Sequence, residues 1–237
     1  MRIATALALL LGLVLVAPAG AQGGKTKRPK GVMLTVEEAL ELAFPKADIQ
    51  RGSVYLSEPE RMRLDKLSGE KFGKGILHPY RAYAKPAADS KDKQGKLLGT
   101  VWFDTHKVRT VGETVMVVVD PADKVARVEI LAFMEPKKYL PKAKWFGQFL
   151  GMELGPEIDL ERAIRGISGA TMSCEAATSA VRRCLASHRV SAEQAALKAA
   201  KRLEKKKARE AKAKKEKAGT GKQVGGTSPI HAPRRLP

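Results

Sequence analysis

The stretch of this chain best suited to chemistry runs Gly166-Ile167-Ser168-Gly169-Ala170-Thr171-Met172-Ser173. Its small residues let the backbone approach a ligand closely, and Ser168, Thr171 and Ser173 supply hydroxyls. A helix that begins directly after such a turn leaves its first N–H groups unpaired at the positive end of the dipole. Together these features suit an anion, and a phosphate in particular. A plain structural role is also open, in which Ser173 caps the helix and Gly169 only turns the chain. The glycine spacing matches neither the dinucleotide fingerprint nor the nucleoside-triphosphate loop, which sets both aside. Cys174 and Cys184 belong to no C-x-x-C or C-x-x-C-H pattern, so zinc, redox-dithiol and c-type haem chemistry have no support. On one helix their ten-residue separation is about 15 Å along the axis, beyond disulfide reach, so both read as buried small residues.

The elements that position this turn are legible from capping and periodicity. Thr35 with Glu38 forms a capping box ahead of Val36, Ala39, Leu40 and Ala43, which share one helical face, and Pro45 ends that helix. Ser57-Glu58-Pro59-Glu60 repeats the device and predicts a second helix to about Leu67. Ile76–Ala84 and Lys96–Phe103 read as extended, being rich in β-branched and aromatic residues. The Glu113–Val119 and Lys124–Leu131 runs flank Asp120-Pro121-Ala122-Asp123, the signature of an antiparallel hairpin with Pro at the second turn position. Val125, Val128, Ile130 and Phe133 do not alternate strictly, which predicts a bulge or burial on both faces. Leu140, Trp145, Phe146, Phe149 and Leu150 form a helical grouping closed by Gly151. A further helix is expected from Asp159 to Gly166, and a longer one from Ser173 to Ser187. The predicted class is α+β: a small, mostly antiparallel sheet flanked by helices, with a basic helical or disordered C-terminal tail.

Ser168-Gly169-Ala170-Thr171-Met172-Ser173 resembles the flavinylation signature of the FMN-binding domain family, whose members include flavin-carrying components of the sodium-pumping NADH:quinone reductase and of the related electron-transport complex. Glu135 to Phe149, with Tyr139 and Trp145, is similar to a segment that precedes the signature in soluble relatives, and the Val115–Phe133 hairpin fits the same domain. The resemblance implies FMN as cofactor, joined by a phosphodiester bond to Thr171 and installed by a flavin transferase. It makes Thr171 a tether, with Ser168, Gly169, Ala170, Met172, Ser173, Glu135 and Trp145 as cofactor-binding candidates and no catalytic residue or metal. Redox chemistry would belong to the flavin ring, and the protein would set its position and exposure. Tyr139, His106 and Arg109 are further candidates. Trp145 also reads as core, and Glu135 as a solvated strand end. The family usually carries Asp three residues before the Ser that matches Ser168; here Arg165 stands there, a guanidinium able to pair with phosphate.

The rest of the chain sets compartment and partners. Arg2, the apolar run Ile3–Val16 and the small residues Ala19 and Ala21 read as a signal peptide over residues 1–21, shorter than the roughly 20 apolar residues of a spanning helix. The expected organisation continues with a linker at 22–33, an FMN-binding domain at 34–190, a basic helical or disordered segment at 191–218 and a disordered tail at 219–237. The chain carries a formal net charge of +19, and more than half of that excess lies from Arg189 onward. The lysines of this region lack the interleaved aromatics that stack bases, so nucleic acid is not an expected partner. The expected function is periplasmic or other extracytoplasmic electron transfer with a membrane-associated donor or acceptor. The alternative is a polybasic module without flavin, bound through its tail to an anionic surface.

Overall fold

The computed structural model describes residues 28–73, 75–86 and 94–220, with side chains of the last segment described through Lys212. The expected signal peptide lies outside the described residues. Helix α1, Val36–Ala43, has the Thr35/Glu38 capping box, and α2, Glu58–Ser68, has the Ser57/Glu60 box with Pro59 in its first turn. The strands are β1 (Asp48–Arg51), β2 (Val54–Tyr55), β3 (Ile76–Leu77), β4 (Tyr80–Tyr83), β5 (Leu97–Lys107), β6 (Gly112–Val119) and β7 (Val125–Phe133). Five of them form one antiparallel sheet in the order β1-β4-β5-β6-β7, while β2 and β3 pair separately. The short helix α3 spans Ala143–Phe146, and α4 runs without a break from Thr171 to Thr220. The fold is α+β.

Burial on both faces explains why β6 is continuously apolar from Val115 to Val119. Val115, Val117 and Val119 face a large core shared with Trp102, Phe149, Ile158, Ile164 and the α4 residues Ala177, Val181 and Leu185. Met116 and Val118 face a smaller core with Val101, Leu131 and Ala39 of α1. Gly99 makes room for that second layer: a Cβ there would come within 2.7 Å of the Phe44 ring and 2.8 Å of the Val119 carbonyl. The β6–β7 turn closes with Asp123 N–H donating to Asp120 O at 3.1 Å, and Asp123 has a φ of 64°. The register shifts at Val118/Val119 and again at Thr114/Val115, the expected bulges.

The expected Asp159–Gly166 helix is absent. That stretch is a series of turns, including Arg162 N–H to Asp159 O at 3.1 Å and Ile164 N–H to Asp159 O at 3.2 Å. Ile158 and Ile164 are both fully buried in one core, and on a helix their six-residue separation would set them about 120° apart rather than on one face. The grouping after Pro136 forms only short pieces, 3-10 turns at Lys137–Tyr139 and Gly147–Phe149 around α3, before Gly151 at φ 77°. Cys174 and Cys184 both lie buried on α4. No helix among the described residues is long and apolar enough to cross a membrane.

Candidate functional site

The turn that leads into α4 is built around Gly169. Ala170 N–H donates to Ile167 O at 2.9 Å, and Gly169, at the third position of this turn, has a φ of 81° that L side chains rarely adopt. The upstream chain is fixed from the core: Trp145 Nε1 donates to Arg165 O at 2.6 Å, and Arg165 N–H donates to Gln148 Oε1 at 2.9 Å. Helix α4 then begins at Thr171, two residues earlier than expected, and Cys174 N–H makes the bond to Ala170 O at 3.0 Å. Ser173 is therefore inside the first turn and buried, not the cap. Thr171, Met172 and Ser173 have N–H groups in that first turn, where the helix itself offers no acceptor.

These residues form one wall of a cleft of about 210 Å³. Gly169, Ala170, Thr171, Met172 and Ser173 line one side, and Val108, Arg109, Glu135 and Tyr139 complete it. Val108 and Arg109 come from the β5–β6 connection, held by Val108 N–H to Val111 O at 3.1 Å. Glu135 accepts from Thr110 N–H at 3.3 Å, tying the end of β7 to the same connection. Ala170 and Ser173 are buried at the base, whereas Thr171 and Met172 are exposed at the mouth. Thr171 also borders a neighbouring depression with Asp159, Glu175, Thr178 and Arg182. The cleft thus combines helix-start N–H groups, the Thr171 hydroxyl, a guanidinium from Arg109, and apolar or aromatic surface from Val108, Met172 and Tyr139. That donor set suits a ligand with a phosphate at one end and a flat, largely apolar body.

Four residues singled out in the sequence lie elsewhere. Trp145 is in the core, edge-on to Phe146 and Phe149 with ring centroids 4.9 and 5.4 Å away, and reaches the site only through its bond to the Arg165 carbonyl. Ser168 and Arg165 are exposed and do not line the cleft, so the cation beside the helix start is Arg109. His106 sits instead in a buried polar network that composition and periodicity do not reveal. Its Nδ1 is 2.9 Å from Asp104 Oδ1 and its Nε2 is 3.1 Å from Glu113 Oε2. Arg183 of α4 donates to both oxygens of Asp104, at 3.0 and 2.6 Å, and to Glu70 at 2.5 Å. The available signal was Asp104 and His106 at i and i+2 on one strand face, with Glu113 directly opposite His106 across the hairpin.

Burial works to raise the Asp104 carboxyl pKa, but hydrogen bonds from His106 and Arg183 and their charges outweigh it and hold the group at about 2. Burial likewise works to lower His106, and the two carboxylates outweigh it, so the histidinium is favoured. One oxygen of the fully buried Glu113, Oε1, has no hydrogen-bond partner among the described residues. The network clasps the turn end of the β5–β6 hairpin, next to the connection that supplies Val108 and Arg109, to α4, the helix whose first turn supplies Thr171. It fixes one wall of the cleft against the other.

Fold and site together define a cofactor-binding α+β domain with a phosphate-compatible helix start. Residues 112–186 match the family model described as the FMN-binding domain, and that match indicates FMN as the cofactor. The searches of curated proteins and of solved structures return no match. The matched span covers the turn, α4 to Ala186, Glu135 and Tyr139, whereas Val108 and Arg109 precede it.

Proposed function

We propose that the chain is an exported electron-transfer flavoprotein that holds FMN in the cleft through a phosphodiester bond to Thr171. The observation that carries this reading is the Thr171 hydroxyl at the mouth of the cleft, on the first turn of α4 and within the span matched by the FMN-binding domain. A phosphate ester there would lie beside the N–H groups of Thr171, Met172 and Ser173, with Arg109 available to balance its charge. Tyr139 and Met172 offer surface for a flat ring, and Glu135 holds the connection that carries Arg109. Bound FMN supplies one- and two-electron redox chemistry, and the chain's residues tether, orient and partly shield it. Thr171 serves as the attachment point rather than a catalytic nucleophile, with a separate flavin transferase making the bond. Thr171 and Met172 are exposed at the mouth, which would leave a bound flavin accessible to another protein and suits a carrier that exchanges electrons with a membrane-associated partner.

Intact mass spectrometry of the chain purified from its own host tests attachment. The expected mass is that of a polypeptide beginning near Gln22 plus one FMN less one water, with fluorescence retained after denaturing electrophoresis. A mature polypeptide without that increment overturns the covalent bond. An N-terminus at Met1 overturns export.

A further inference from the structure

Beyond Ser191, the last buried residue of α4 among those described, the helix leaves the domain body and every residue from Ala195 to Lys212 is exposed. Its root is fixed. Gln194 Nε2 donates to Tyr55 O at 2.8 Å and to Glu60 Oε1 at 3.1 Å, and Arg63 pairs with Glu193 at 3.1 Å. Between Ala192 and Thr220 the arm carries eleven Lys and Arg against four Glu, and no aromatic residue. Their placement is one-sided. Lys198, Arg202, Lys205, Arg209 and Lys212 follow one another at steps of four, three, four and three residues, the spacing that keeps side chains on a single helical face. At 1.5 Å per residue the stripe is about 21 Å long, and Lys201 borders it. Glu204 and Glu210 fall on other faces, and the arm's ion pair among the described residues, Lys206 with Glu210 at 3.8 Å, lies off the stripe. Leu197 and Leu203 are exposed but six residues apart, so the arm has no apolar seam for a coiled-coil partner.

We infer that this stripe docks the protein electrostatically on an anionic phospholipid bilayer, with the arm lying along the surface. The inference rests on the proposed export and adds the surface on which the flavoprotein works. A straight row of cations on an unbroken helix matches a plane of negative headgroups, and the missing apolar seam makes the contact superficial and reversible. The lack of aromatics removes the stacking that single-stranded nucleic acid would use. Because the arm and the cleft wall belong to one helix, docking fixes the cleft about 40 Å along the axis from Lys198. A membrane-associated redox partner would then be met by diffusion in two dimensions.

The test uses the full mature chain and sedimentation with vesicles of phosphatidylcholine alone or with a third phosphatidylglycerol. Binding to the acidic vesicles at low salt, lost at high salt and absent with neutral lipid, is the expected result. Each basic residue near an acidic surface contributes roughly fivefold to partitioning. K205Q/R209Q should therefore weaken binding by about 25-fold, whereas K206Q/K207Q, with the same charge change off the stripe, should weaken it severalfold less. Equal losses from the two pairs overturn the stripe. No binding to acidic vesicles, or tighter binding to a DNA duplex at the same salt, overturns the bilayer as partner. Flavin absorbance of the same samples keeps the readings separate: vesicle binding without flavin counts against the cofactor proposal alone, and a flavin-loaded chain that ignores vesicles counts against this one alone.

Discussion

Replacing Asp104 by Asn should destabilise the protein by about 2–4 kcal/mol, because the side chain is 2 % exposed and holds two cations at once. Two routes bracket that magnitude. A carboxyl pKa of about 2 against an ordinary 3.8 makes the charged form worth about 2.5 kcal/mol to the folded state. Breaking a buried ion pair while leaving its partner in place costs about 3–5 kcal/mol, reduced here because Arg183 keeps the half-exposed Glu70. The sign with pH follows from the depressed value: Asp104 stabilises above pH 3.8 and its contribution fades as pH falls toward 2. Urea unfolding followed by circular dichroism between pH 2 and 7 measures both quantities. Asp104→Asn should lower stability at pH 6 and flatten the acid limb of the profile. Asp104→Leu with Arg183→Met, which removes both charges, should recover much of the loss. A change below about 1 kcal/mol together with an unaltered acid limb would refute the reasoning, since the network would then contribute no more than an exposed pair.

The other predictions concern the cleft and two part-buried histidines. Thr171→Ala should leave the unfolding free energy within about 0.5 kcal/mol of the parent, as the side chain is exposed, yet abolish the FMN mass increment; retention of the increment would move the tether elsewhere. Gly169→Ala meets no atom within 4 Å, so its cost is confined to the φ of 81° and should be about 1–2 kcal/mol by urea unfolding. Because the folded-state pKa of His106 is raised, His106→Gln should remove stability that is present below about pH 6.5 and lost as pH rises through the folded value. His188 should behave in the opposite sense. Trp102 Nε1 donates to its Nδ1 at 3.2 Å and its Nε2 faces Asp123 at 2.9 Å, an arrangement that needs the neutral ring. Burial lowers its pKa, so its contribution is full above about pH 6.5 and declines as pH falls, and a two-dimensional NMR titration of both imidazoles should show the values displaced in opposite directions.

Local chemistry made much of the architecture readable from the chain. The Thr35/Glu38 and Ser57/Glu60 boxes set the starts of α1 and α2 because each satisfies orphan N–H groups without help from distant residues. Asp120-Pro121-Ala122-Asp123 closed the β6–β7 hairpin for the same reason, and the broken alternation of Val125, Val128, Ile130 and Phe133 announced the bulges of β7. The residue types of Ser168–Ser173 and their place before a helix pointed to a phosphate, and their resemblance to the FMN-binding domain family pointed to FMN. Tertiary structure decided what depended on contacts between remote segments. Strand β1 pairs with β4 across the whole of β2, α2 and β3, and its Asp48-Ile-Gln-Arg51 sequence has no periodic apolar signal. The Asp159–Gly166 stretch carries helical spacing, but core anchoring of Ile158 and Ile164 overrides it. Trp145 carries the aromatic ring expected of a flavin neighbour, but the core holds it and assigns it to the Arg165 carbonyl. The second wall of the cleft, with Val108 and Arg109, and the Asp104–His106–Glu113–Arg183 network were set by bringing α4 across the β5–β6 hairpin. Capping and turn preferences act over three or four residues and survive in the sequence; which buried charge meets which is fixed only when the sheet and helix pack.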